Sequence, residues 1–240
     1  MEKQIIHWDS LQEMDKLIEQ WVKVDAIITD PPFNLVEKQW GNIHLFRQSL
    51  KHWRDVITED SMNFDKWFCQ ISWIEKACKL LKPWGNIVIF NDWENMTDIA
   101  KELRKNRINV KSLNHWQKTN PLPNEWRRRF VSGREYFLYW SKKGKTHTFN
   151  VDKVHNGCFE MWLTPWREKK HWKHPNQKSI KLMSEIISIV TNKWDTILDC
   201  FAWSGSTLVA ARNTNRWYIG IELNEEFYNL SLKRINEWFF

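Results

Sequence analysis

Three carboxylates stand where apolar, β-branched runs stop. Val24-Asp25-Ala26-Ile27-Ile28-Thr29 ends on Asp30-Pro31-Pro32-Phe33, Thr196-Ile197-Leu198 ends on Asp199, and Tyr218-Ile219-Gly220-Ile221 ends on Glu222. The first group suits a planar base. Each proline removes a backbone N–H and stiffens φ, so two in succession leave an acceptor-rich loop beside Asp30, and an exocyclic amine needs acceptors. Phe33 adds an aromatic face. Taken alone, these residues are equally well read as a strand followed by an ordinary Pro-Pro turn.

The second group suits a nucleoside. Cys200 to Ser206 is a turn-forming loop that runs into Thr207-Leu208-Val209-Ala210-Ala211. In an open parallel sheet, ligands bind at the carboxyl ends of strands, where small residues let backbone amides and a helix N-terminus approach them. Gly205 and Ser206 fit that role, and Glu222, about twenty residues on, stands where an acid accepts both hydroxyls of a ribose. A lone glycine in a strand-to-helix turn is more often structural, so this pattern too is only moderately specific.

The elements that position these groups alternate. An amphipathic helix is expected near Leu11 to Glu19 after a strand end at Ile5 to Asp9, and a second helix over Trp67 to Leu81, stopped by Lys82-Pro83. Strands follow at Asn86 to Phe90, Val110 to Trp116 and Tyr136 to Trp140, with a helix at Thr97 to Asn106. Lys118 to Ser132 reads as a loop, and the stretch on to His174 is polar and aromatic-rich. Helices are expected at Ser179 to Val190, Ser206 to Asn213 and Glu225 to Glu237. The alternation predicts an α/β protein with a mostly parallel sheet and helices on both faces, in one domain over 1–240.

The formal charge of +7 over 240 residues, with basic runs at Arg127-Arg128-Arg129 and Arg167 to Lys173, makes an anionic polymer a plausible partner. A solvated basic face is the commoner reading of any single run. No stretch has the length of a membrane span and no signal pattern opens the chain, so a cytoplasmic protein without membrane contact is expected. Four scattered cysteines and eight histidines without ligand spacing predict no metal.

The two strand-end sites together resemble the DNA amino-methyltransferases that use S-adenosylmethionine, in the permuted group where the catalytic motif precedes the cofactor motif. Asp30-Pro31-Pro32-Phe33 is similar to their D-P-P-[YF], Asp199-Cys200-Phe201-Ala202-Trp203-Ser204-Gly205 to D-P-F-x-G-S-G, and His174-Pro175-Asn176-Gln177-Lys178 to H-P-x-Q-K. The resemblance implies a Rossmann-like methyltransferase fold and transfer to the N6 amine of adenine in double-stranded DNA, with the base flipped out of the duplex. It makes Asp30, Pro31, Pro32 and Phe33 catalytic. It puts S-adenosylmethionine against Asp199, Phe201, Ala202, Ser204, Gly205, Ser206 and Thr207, with Glu222 on the ribose, Asp9 facing the adenine, Asn34 extending the catalytic loop and Lys178 meeting the methionine carboxylate. Arg127, Arg128 and Arg129 become DNA contacts, mainly to phosphate, in a recognition insertion at about 118–174. A cytosine-N4 enzyme and a silent DNA-binding relative are the alternatives. A separate restriction endonuclease and self-association are the remaining partner expectations.

Glycine is scarce. Seven glycines in 240 residues fall well below the usual share of about 7%, beside eighteen tryptophans. Trp8, Trp84, Trp194 and Trp203 stand where the pattern wants glycine, and Cys200 where the family has proline. An indole at 203 would compete with the cofactor for space. One account is a gene that reads UGA as glycine, decoded with UGA as tryptophan; the other is a degenerate or repurposed enzyme.

Overall fold

Strand β2 (Val24–Thr29) lies at the centre of the molecule because its apolar side chains face both ways, with Ala26 and Ile28 in one core and Ile27 in the other. A strand buried on both faces reads as a continuous apolar run. The protein is described here from a computed structural model, over residues 3–33, 69, 71–120, 133–143, 146–151, 156–161 and 177–237. The remaining elements before the middle of the chain are β1 (Gln4–His7), α1 (Ser10–Glu19), α2 (Ile74–Leu80), β3 (Leu81–Asn91), α3 (Met96–Lys105), β4 (Ile108–Lys118) and β5 (Arg134–Lys142). After them come β6 (Cys158–Met161), α4 (Ile180–Val190), β7 (Thr196–Asp199), α5 (Ser206–Asn213), β8 (Trp217–Glu222) and α6 (Glu225–Glu237).

The eight strands form one sheet in the order β1-β8-β7-β2-β3-β5-β4-β6. Only β5 runs against its neighbours β3 and β4; the other pairs are parallel. Helices α1, α2 and α3 bury Met14, Leu17, Ala77, Ile99 and Leu103 against one face. Helices α4, α5 and α6 bury Leu182, Ile186, Leu208 and Ile235 against the other. This is the three-layer α/β arrangement expected from the alternation.

Three elements differ from expectation, one of them β3, which begins at Leu81 and not Asn86 and so runs through Lys82-Pro83. Strand β6 lies within the stretch read as irregular and pairs parallel with β4 at the sheet edge, burying Phe159 and Met161 on one face. Four residues are too few for a period-two signal to stand out. The second helix begins at Ile74, not Trp67, with residues 71–73 in a turn, and residues 67, 68 and 70 lie outside the described set. Trp116 and Trp140 are fully buried, as core or wall residues should be.

The chain turns outward in opposite directions from β7 and β2, so the sheet has its topological switch point between these neighbours. Helix α5 must lie close over β8 to bring its N-terminus there. Gly220 permits this, since a Cβ at that position would lie 2.3 Å from Leu208 Cδ1. Leu208 is fully buried and cannot move aside cheaply. Gly220→Ala should therefore cost about 1–3 kcal/mol of stability in chemical denaturation, the range for overpacking.

Candidate functional site

The register brings three carboxyl ends together. Asp199 pairs with Gly220 across β7 and β8, Glu222 ends β8, and Thr29 at the end of β2 donates its hydroxyl to Asp199 Oδ1 at 2.8 Å. Asp30, Gln177, Lys178, Asp199, Ala202, Trp203, Ser206 and Thr207 line one cavity at the switch point, together with Phe201 and Ser204. The catalytic and cofactor motifs predicted from sequence are thus adjacent across β2 and β7.

The nucleoside-directed loop is held from two sides. Glu222 accepts the backbone N–H groups of Trp203 at 2.7 Å and Asn224 at 2.8 Å. Arg234 of α6, with no exposed surface, donates to the Ser204 carbonyl and to Ser204 Oγ at 2.8 Å. Gly205 takes φ +77 to start α5, and a Cβ there would lie 2.8 Å from Ser231 Cβ. Burial pushes the Asp199 carboxyl up to about 7, against hydrogen bonds from Thr207, Thr29 and the Phe201 N–H that favour its charged form. Burial likewise pushes Glu222 up to about 7, against the N–H groups of Asn224 and Trp203.

Asp30 is held by a chain of charges. Lys178 Nζ donates to Asp30 Oδ2 at 2.6 Å and lies 3.1 Å from Glu135 Oε2, while Lys118 Nζ lies 2.5 Å from Glu135 Oε1. Burial alone would lower the Lys178 ammonium pKa, but Asp30 and then Glu135 outweigh it and raise it. For Glu135, burial favours the neutral acid, yet Lys178 and Lys118 hold its carboxyl at about 2. The Lys178 charge also lies 5.3 Å from the ring centre of Phe33.

The resemblance puts Lys178 against a methionine carboxylate; in this structure its ammonium is engaged by two acids of the protein. Asp9, expected to face an adenine, caps α1 by accepting the Gln12 N–H at 3.0 Å, and it follows the His7 to Glu222 pairing of β1 with β8. Pro31 and Pro32 are buried, and the Phe33 carbonyl accepts from Asn95 at 3.1 Å. Asn34, Arg127, Arg128, Arg129 and His174 to Asn176 lie outside the described residues. Glu135, Lys118 and Arg234 went unnoticed in the sequence. Only Arg234 carried a signal, at the buried spacing of Phe227, Leu230 and Ser231. Among the described residues, no group of three or more His, Cys, Asp or Glu is placed to hold a metal ion.

The polar surroundings fit an adenosyl group: a carboxylate at the end of β7 and a helix N-terminus opened by glycine line the cavity, and Glu222 at the end of β8 stands behind its Trp203 wall. The indole of Trp203 does not fit. It lines the cavity, donates Nε1–H to the Asp30 carbonyl at 2.6 Å and packs edge-on against Phe227.

A Rossmann-like sheet with base-directed and nucleoside-directed loops side by side at its switch point defines a transferase site of the methyltransferase type. Residues 24–233 match the DNA methylase family of N6 and N4 methyltransferases, and the chain belongs to that family. It is 35% identical to the type II methyltransferase M2.MboI of Moraxella bovis over 227 residues, covering 89% of this chain and 81% of the relative. It is 30% identical to M2.DpnII of Streptococcus pneumoniae over 244 residues, 96% and 88% of the two chains. The crystal structure of M1.HpyAVI in complex with SAM superposes with a TM-score of 0.75 at 33% identity, covering 97% of this chain and 98% of that one.

The charge chain has a pH signature. The Glu135 carboxyl is depressed in the folded protein, so its contribution is complete above about 4.5 and is lost as pH falls toward about 2. Thermal unfolding between pH 7 and 3 should show this loss, about 3 kcal/mol at its limit. Glu135→Gln should begin about 2–3 kcal/mol less stable at pH 7 and show a flatter acid limb.

Proposed function

We propose that the protein transfers the methyl group of S-adenosylmethionine to the N6 amine of adenine at a specific site in double-stranded DNA. The observation that carries this reading is the position of Asp30 at the end of β2, one strand from Asp199, heading an acceptor-rich Pro31-Pro32 loop and aligned by Lys178. S-adenosylmethionine supplies an activated methyl group on a sulfonium. The protein supplies position. The amine of the base is a weak nucleophile because its lone pair is delocalised, and acceptors at Asp30 and the Pro31 carbonyl hold its nitrogen in line. Phe33 offers the flipped base a stacking face, worth about 1–3 kcal/mol. Aspartate rather than serine before Pro-Pro favours adenine over cytosine N4.

The basic segment at 127–129 supplies phosphate contacts in this reading, within a recognition insertion at about 118–174, and a separate restriction endonuclease fits the type II methyltransferase relatives. No helix among the described residues is long and apolar enough to cross a membrane.

The test is methyl transfer from labelled S-adenosylmethionine to duplex DNA, with the product nucleosides separated, for this chain and for Trp203→Gly. N6-methyladenine is expected from the glycine variant, and Asp30→Ala in that background should lose about 10²–10³-fold in rate. N4-methylcytosine would move the substrate, and no methylated base from either protein would remove the reading. Since burial pushes the Glu222 carboxyl up to about 7 and both its oxygens accept ribose hydroxyls, more strongly, once it is ionised, cofactor affinity measured by calorimetry should rise from pH 6 to 8. Glu222→Gln should flatten that rise.

A further inference from the structure

Six residues other than glycine have φ in the left-handed region among the described residues, and four of them are tryptophans: Trp21 at +58, Trp84 at +57, Trp194 at +71 and Trp203 at +47. A bulky side chain there is a genuine outlier, because its Cβ crowds the carbonyl. We propose that the functional protein carries glycine at all four positions, and that Trp203 in particular plugs the cofactor's place in this chain.

Each position belongs to a motif that calls for glycine. At the end of α1, the N–H of Trp21 bonds the Ile18 carbonyl and that of Val22 bonds the Leu17 carbonyl, a Schellman motif with Trp21 at its left-handed residue. The same motif ends α5, where Arg216 bonds Ala211 and Asn215 bonds Arg212, and there the left-handed residue is asparagine, which tolerates it. Trp84 follows Pro83 within β3, at an irregularity of the ladder, and a left-handed residue at a bulge is ordinarily glycine. The neighbouring β2–β3 register jumps at this point from Val24 opposite Leu81 to Ala26 opposite Asn86. Trp194 is the third residue of the turn closed by the Asp195 N–H on the Asn192 carbonyl. Trp203 is the second residue of the turn closed by the Gly205 N–H on the Ala202 carbonyl.

Function does not explain the strain. Strained backbone gathers at active sites, and that accounts for Trp203 alone. Trp21 and Trp194 lie in turns and Trp84 at the irregularity of β3, all outside the cavity, and they are 84%, 61% and 54% exposed, so packing does not hold them either. The contrast is with Trp73, Trp116 and Trp140, which are at most 1% exposed and have ordinary φ. A buried set with ordinary φ and an exposed set at left-handed positions, beside Trp8, Trp93 and Trp217 which belong to neither, would both arise from a gene that uses UGA for glycine and UGG for tryptophan. Trp8, suspected from sequence, is outside the left-handed set, and Trp21 takes its place. The inference stands on backbone geometry and goes beyond the proposed reaction.

Three measurements test it. The coding DNA should carry UGA at 21, 84, 194 and 203 and UGG at 73, 116 and 140; UGG at any of the first four overturns it. Trp21→Gly, Trp84→Gly and Trp194→Gly should each raise Tm, by about 2–4 °C, and a rise in one or none overturns it. Titration calorimetry with S-adenosylmethionine should show at least ~10-fold tighter binding by Trp203→Gly than by the parent, with Trp203→Ala between them because it clears the space but keeps a Cβ at positive φ. Equal affinity of parent and Trp203→Gly overturns the plug. A glycine variant that binds the cofactor yet methylates no DNA leaves this inference intact and removes the proposed function instead.

Discussion

Three carboxylates placed at the ends of three adjacent buried strands are the constraint on which the site depends. Asp30, Asp199 and Glu222 project from β2, β7 and β8 because a parallel sheet gathers its carboxyl ends on one side, and the switch between β7 and β2 opens a cavity there. Removing so many charges from water is costly unless each is compensated. The compensation differs at each position. Asp30 receives a full cation from Lys178, Asp199 receives hydroxyl and amide donors, and Glu222 receives backbone N–H groups of the loop it anchors. Donors without a net charge leave Asp199 and Glu222 near pH 7, so ionisation at these two is open to a ligand's influence. A cation next to Asp30 favours its carboxylate form, the form that accepts a hydrogen bond from an amine.

Lys178 then needs its own balance. One acid and one base would make a simple pair, but Lys178 lies between two acids, and Glu135 between two lysines. The alternation Lys118, Glu135, Lys178, Asp30 has no net charge, and it ties β4, β5 and the segment before α4 to the end of β2. Buried networks of this sort are valuable only when every member is satisfied. Glu135 at the start of β5 pairs in register with Trp116 of β4, beside Lys118.

The acids were legible in the sequence because each ends a strand whose apolar run is visible locally. The compensating groups were not, because their contacts cross the fold. Lys178 meets Asp30 over 148 positions, Thr29 meets Asp199 over 170, and Arg234 reaches Ser204 from another helix. Helices α1, α3, α4, α5 and α6 fall within a residue or so of their sequence bounds, since a buried stripe at helical spacing is a strong local signal. The short edge strand β6 was missed because it owes its existence to pairing with β4 and not to its own propensity. Lys178 shows a different limit. Its motif identified the site but not its partner, since a lysine is read equally well toward a ligand or toward a neighbouring acid.

The tryptophans in left-handed turns reverse the usual direction of inference. A foldable sequence is locally consistent with its global structure, and conflicts between the two are expected at functional sites. Here four of the six left-handed residues other than glycine are tryptophans, Arg107 and Asn215 being the other two, and the four are spread from the end of α1 to the start of α5. Gly85 is retained beside Trp84 where a Cβ would lie 2.8 Å from the Asp25 carbonyl, and Asn215 supplies the left-handed residue that α5 requires. Random decay would damage capping, core packing and turns alike. An excess of one bulky residue type at left-handed positions is what a change at the step where codons become residues would produce. The scarcity of glycine and the indole lining the cavity are, on the proposal made above, two consequences of a single reassignment.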